Sequence, residues 1–316
     1  MGAIEANQTL ASLLGWTPSE FGADGFTTAL VAAIRAQQTA LGVTADGICG
    51  KDTYSALLAQ RQAKLFEGRA KSSDWLADAG LIAMYEAKRT WMSNIIDLPE
   101  TSDPRFATCR SAIDDMIRSE NGLLWSWQPL YADNFEWCGA FVGFSWRAAL
   151  LAAALRKTYW ASTYRLDRYA RYEMAFENTP NPRPTSGTPR KLKELNEHSG
   201  SFDAHFSADD PPRPGDILLV GGVNTAYGKH VTLIESYDAA RGLFTTLEGN
   251  ATGRGPTGST RHGVIRAQRP VGLPKGAAQS TYFARRLIRP AMADLGGAVP
   301  RAAKAKPKPK SKSKTR

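Results

Sequence analysis

The sequence predicts an α+β protein, and three observations carry that prediction. Apolar residues recur at helical spacing early in the chain, at Leu30, Ile34 and Leu41. A nearly all-apolar stretch over 138–156 has the pattern of a helix buried on most sides. From residue 216 onward, short runs rich in β-branched and apolar residues alternate with turn signals. Helices first and an antiparallel sheet afterwards describe an α+β architecture.

Residues 26–62 read as a compact helical unit, with one helix through Leu30, Ile34 and Leu41 and another from Thr53 through Leu57 and Leu58. The connection runs from Gly42 to Thr53; its glycines suit a tight turn, and Asp52 is placed to cap the second helix. Residues 70–130 are mostly helical, anchored by Trp75, Ile82, Tyr85 and Trp91, with a loop at 97–104. The buried helix over 138–156 carries Phe141, Val142, Phe144, Trp146, Leu150, Leu151 and Leu155. A long irregular insertion rich in Pro, Ser, Asn and charge is expected over 176–214. Strands are expected at 216–220, 230–237, 243–248, 264–268 and 282–288. The chain therefore divides into a small three-helix module (1–65), a helical linking region (66–110), a sheet-bearing domain (111–290) and a basic tail (291–316).

The net charge of +10 belongs almost entirely to that tail. Residues 301–316 hold eight Lys and Arg and no acid, so residues 1–300 carry only +2. Alternating Lys with Pro, Ala and Ser cannot bury apolar surface, so disorder is expected there, with a solubilising role or contact with an anionic polymer or membrane surface. Specific nucleic-acid binding is not expected, since it would rest on the tail alone. No apolar run approaches the length needed to span a bilayer, and the first 30 residues lack the pattern of a secretory signal. Synthesis in the cytoplasm without such a signal is the expectation. Cys49, Cys109 and Cys138 form no CxxC pair, and His198, His205, His230 and His262 lack close metal-site spacing. Neither a disulfide framework nor a structural metal or other cofactor is expected.

Two residues stand where chemistry could be done. Cys138 opens the buried helix after the polar approach Asp133-Asn134-Phe135-Glu136-Trp137. A helix N-terminus carries partial positive charge and unpaired N–H groups, which favour a thiolate and can hold an oxyanion. His230 opens a strand, and the run 243–250 returns after the turn at 238–242, so the two should form an antiparallel hairpin. One register sets Glu248 opposite His230 and the other sets Asn250 there; both point to the same face. Either could fix the imidazole tautomer. The connection also permits the first register, with Tyr237 near Arg241 at the turn, and a carboxylate would stabilise an imidazolium where an amide only orients it.

The order Cys, His, then acid or amide resembles the papain-like clan, and more closely its wall-directed CHAP branch. The resemblance is carried by Trp137-Cys138-Gly139-Ala140-Phe141-Val142, Pro214-Gly215-Asp216-Ile217, His230-Val231 and Glu248-Gly249-Asn250, and covers about residues 115–270. It implies a papain-like fold with Cys138 as nucleophile, His230 as base and Glu248 or Asn250 as the orienting group. The family often has Gly before the histidine, where this chain has Lys229. The related NlpC/P60 type usually shows Asp-Cys-Ser-Gly-Phe where this chain has Trp137-Cys138-Gly139-Ala140-Phe141.

Upstream, Ile34–Gln38, Leu41-Gly42, Asp46-Gly47, Gly50 and Thr53–Leu57 resemble the peptidoglycan-binding type 1 module, with Cys49 where an aromatic or aliphatic residue is common. Together the two resemblances imply a peptidoglycan hydrolase, either an amidase or a peptide-bridge endopeptidase, acting at the cell wall as a monomer. The alternatives are an NlpC/P60-type D,L-endopeptidase and a catalytically inert wall-binding protein; a phage lysin and a secreted effector both fit. Expected substrate contacts are Asp46 and Gly47 in the module and Trp137 beside the thiol. A second oxyanion donor is sought at Tyr131 or Asn134, whereas His262 and the arginines 285, 286 and 289 read as surface residues.

Overall fold

Leu30 and Ile34 are fully buried on one face of helix α2 (Thr28–Leu41), as their spacing requires. They pack among α1 (Ala3–Leu14) and α3 (Lys51–Gly68). In this computed structural model the described residues are 2–68, 75–97, 102–121, 137–149, 211–221, 230–271 and 282–289. Helix α3 begins at Lys51, with the Tyr54 amide donating to the Gly50 carbonyl, so Asp52 lies inside the first turn and does not cap it. A carboxylate there still faces the positive end of the helix dipole.

Helix α4 (Trp75–Met92) buries Ile82 and Trp91, while Tyr85 is half-buried and the side chain of Trp75 lies outside the described residues. Helix α5 (Phe106–Asn121) and helix α6 (Cys138–Arg147) complete the described helices. The expected continuation of α6 over 150–156, the insertion over 176–210 and the basic tail lie outside the described residues.

The five strands are β1 (Ile217–Gly221), β2 (His230–Asp238), β3 (Leu243–Arg254), β4 (Thr260–Pro270) and β5 (Phe283–Ile288). They form one antiparallel sheet in the order β4-β3-β2-β1-β5, which makes the protein α+β. Strands β3 and β4 run several residues longer than the sequence suggested, because pairing continues past the apolar stretches through polar positions.

The sheet is apolar on both faces. Val231, Leu233 and Leu247 belong to a cluster with Phe141 and Trp146 of α6 and Ile82 of α4. Leu218, Val220, Ile234, Phe244 and Leu287 form a second cluster on the other face. The first cluster also takes in Leu14, Trp16, Leu30 and Ile34, so one core runs across residue 65 without interruption. No described helix is long and apolar enough to cross a membrane.

Candidate active site

Helix α6 sets the position of Cys138. The Phe141 amide makes the first intrahelical bond, to the Trp137 carbonyl at 3.0 Å, and Trp137 contributes no side-chain cap. The amides of Cys138, Gly139 and Ala140 thus lie in the first turn, where N–H groups have no intrahelical partner. The helix lies close against β3 at Gly249. A Cβ built there would sit 2.5 Å from Phe141 Cβ and 2.8 Å from Trp137 Cζ3. Glycine between Glu248 and Asn250 is what lets the Cys138-bearing turn approach the sheet.

On β2 and β3, His230 Nε2 lies 3.0 Å from Glu248 Oε2. The register is not the one that favoured Glu248. Leu233 pairs with Leu247 and Ile234 with Thr246, and this register, carried on, sets Asn250 opposite His230. Tyr237 pairs with Phe244 and Asp238 with Leu243, so Tyr237 is not placed against Arg241. The turn is the physical reason: closed by the Asp238–Leu243 pair, it would bring Ala251 opposite His230, and the extra residue Glu235, between Ile234 and Ser236, shifts that by one to Asn250. Glu248 reaches the ring from the diagonal position, within range of a long side chain. Asn250 is half-buried at a second irregularity, between Glu248 and Ala251, and has a left-handed backbone with φ of 56°. Asparagine tolerates that conformation better than most residues.

Cys138, His230 and Glu248 are 3%, 7% and 0% exposed, so their interactions act with little screening by water. Burial disfavours a charged imidazole, but hydrogen bonds to Cys138 and Glu248 and their charge outweigh it and push His230 up to about 10. Burial would likewise raise Glu248, yet His230 and Arg269 hold it down to about 2. The fold thus favours an imidazolium braced by a carboxylate, beside a cysteine.

The other cysteines have different surroundings. Burial pushes the Cys49 thiol up, which keeps it protonated. Cys109 Sγ is 3.9 Å from the Asn94 carbonyl.

Arg269 was not singled out in the sequence, although it holds Glu248 through two hydrogen bonds. Its only sequence signal is a cation two positions along the same face from the β4 residue opposite Glu248. Arg289, expected at the surface, is 4% exposed and grips Asp216 through Nε and Nη2 at 2.8 and 2.7 Å. The Pro214-Gly215-Asp216 run therefore braces the start of β1, with Trp146 Nε1 donating to the Gly215 carbonyl at 3.0 Å. His262 is on the surface, with Nδ1 3.3 Å from Asp97 Oδ2. Tyr131 and Asn134 lie outside the described residues.

In the module, the Asp46-Gly47 turn is tied inward. Asp46 Oδ1 accepts from Gln38 Nε2 and the Ile48 amide, both at 2.8 Å, and the Gly47 amide donates to Gln38 Oε1 at 2.8 Å. Asn7 adds bonds from its amide nitrogen to the Gly47 carbonyl and from the Cys49 amide to its oxygen. Gln38 and Asn7, both buried, organise this loop from the two helices beside it. Trp137 is 1% exposed, and its indole nitrogen has no hydrogen-bond partner among the described residues.

No family model, curated protein or solved structure matches this chain.

Proposed function

We propose that this protein is a cysteine peptidoglycan hydrolase of CHAP type, cleaving a cell-wall amide bond through Cys138, His230 and Glu248. The observation that carries the reading is the buried His230–Glu248 pair beside a cysteine in the first turn of α6. In the proposed reaction the thiol proton already resides on His230, as an imidazolium, and the Cys138 thiolate attacks the amide carbon. Amides of the α6 first turn stabilise the oxyanion, and the Glu248 carboxylate stabilises the imidazolium. His230 then protonates the departing amine as the C–N bond breaks. Water, deprotonated by His230, releases the acyl group and restores the thiol. Peptidoglycan is the substrate class because the N-terminal helices resemble a wall-binding module around Gln38, Asp46, Gly47 and Thr53.

The test is digestion of purified sacculi by the full chain, with mass analysis of the soluble muropeptides. Release of a free lactyl carboxyl identifies an amidase, and new peptide termini identify an endopeptidase. Cys138→Ser is expected to lower release by more than about a thousandfold, while Cys49→Ser and Cys109→Ser stay active. An active Cys138→Ser beside an inactive Cys109→Ser would overturn the assignment.

A further inference from the structure

We propose that Arg269 is a positioning residue of this site, aiming the Glu248 carboxylate at His230 from the neighbouring strand β4. The inference rests on reading Cys138, His230 and Glu248 as the reacting set. Arg269 stands opposite Phe244 in the β3–β4 register, on the face that also carries Thr246 and Glu248. Its side chain runs along the strand to the carboxylate. Nε donates to Glu248 Oε1 at 2.8 Å and Nη2 to Oε2 at 2.6 Å. Thr246 Oγ1 donates to Oε1 at 2.6 Å. Oε1 is thus shared by Arg269 and Thr246, and Oε2 by Arg269 and His230.

That distribution fixes more than a charge. A carboxylate turns freely about its terminal bond unless both oxygens are held, and a planar guanidinium holds both at once. Held at both oxygens, the carboxylate keeps the one plane in which an oxygen faces His230 Nε2. The cation also keeps a fully buried carboxylate ionised, where a lone acid would take up a proton. Arg269 is itself steadied by the Tyr282 ring, 5.8 Å from its guanidinium carbon. Among the described residues, the titratable or charged groups acting on this cluster are Cys138 from α6, His230 from β2, Glu248 from β3, Arg269 from β4 and Tyr282 beside β5.

Two measurements on the full chain test the inference. The first is a mutant cycle on wall hydrolysis. Arg269→Gln is expected to lower kcat by about a hundredfold with KM little changed, and Arg269→Lys, which keeps charge but not the fork, by about tenfold. In a Glu248→Gln background, Arg269→Gln should cost less than about twofold, since its action passes through the carboxylate. That double variant removes both buried charges and so avoids the unpaired ion that could unfold Arg269→Gln alone. Additive losses would overturn the proposal and leave Arg269 a structural residue.

The second measurement needs no substrate: the carbon-13 carboxyl signal of Glu248, assigned by its loss in Glu248→Gln, is titrated. Removing Arg269 removes a cause that lowers Glu248, so the midpoint should rise by at least about one pH unit in Arg269→Gln. An unchanged midpoint sinks the proposal. A wild type that leaves sacculi intact sinks the hydrolase reading instead, and the carboxyl titration still decides whether Arg269 governs Glu248.

Discussion

Glu235 and Glu248 belong to neighbouring strands of one sheet, and both are buried against cations on opposite faces. Glu235 faces the helices. Its Oε1 accepts from Lys88 Nζ and its Oε2 from Arg266 Nε, each at 2.5 Å. Glu248 faces the other cluster and accepts from Arg269, Thr246 and His230. An arginine of β4 holds each carboxylate, at positions three residues apart. The difference is the remaining cation. Lys88 also donates to the Gly15 carbonyl at 3.2 Å and lies 5.1 Å from the centre of the Tyr54 ring, so it ties three helices to the sheet. His230 carries a proton that it can surrender, next to a cysteine. One arrangement serves as a fastener and the other forms the proposed reaction centre, and the identity of one cation separates them.

The comparison breaks most sharply at Glu248. Glu248→Gln should lower kcat/KM by about a thousandfold or more in protein that remains folded by circular dichroism, because it removes the charge that favours the imidazolium. Full activity in that variant would erase the distinction between the two glutamates. Glu235→Gln should act in the opposite sense. It strands Lys88 and Arg266 without a counter-charge and should cost about 3–5 kcal/mol of stability by urea unfolding. Its rate per folded molecule should match wild type. A variant of Glu235 that stays stable but loses turnover would show that the fastener also shapes the site. The smallest effect is expected at Asn250. Asn250→Ala places alanine in a left-handed backbone at a cost of about 1 kcal/mol, with less than about a tenfold loss of turnover. A larger loss there than for Glu248→Gln would make Asn250 the orienting residue, in line with the strand register.

The candidate site was only partly legible in the sequence, for physical reasons that differ by residue. Cys138 and His230 were visible because helix starts and strand starts leave local signals. Glu248 and Asn250 were visible as a pair because alternation along a strand sends both to one face. The register that separates them was not, since it depends on the Asp238–Leu243 closure of the turn together with Glu235 occupying an extra position in β2. An inserted residue of that kind is set by its contacts with Lys88 and Arg266, and neither is near it in sequence. Arg269 and Arg289 were illegible for a related reason. Each binds a carboxylate 21 or 73 residues away, and a cation written into a short strand looks the same whether it faces water or a buried acid. The α+β class was plain because the helical and strand periodicities occupy different halves of the chain. The unbroken core was not, because periodicity reports that a face is buried and never what covers it.

Gly15 closes α1 with φ of +73°, and a Cβ there would lie 2.7 Å from Arg266 Nη2 and 3.2 Å from Glu235 Oε1. The end of α1 therefore lies directly on the side chains of the Arg266–Glu235 pair, and its left-handed backbone favours glycine at that point. Portability is the consequence. A chimera that exchanged residues 1–68 for another helical segment would need a left-handed glycine at this place and a carbonyl for Lys88. It would also need apolar side chains to replace Leu14 and Trp16 in the shared core. Grafting at the segment boundary would cut through packed interior, so change in this architecture is easier by substitution within the helices than by shuffling them.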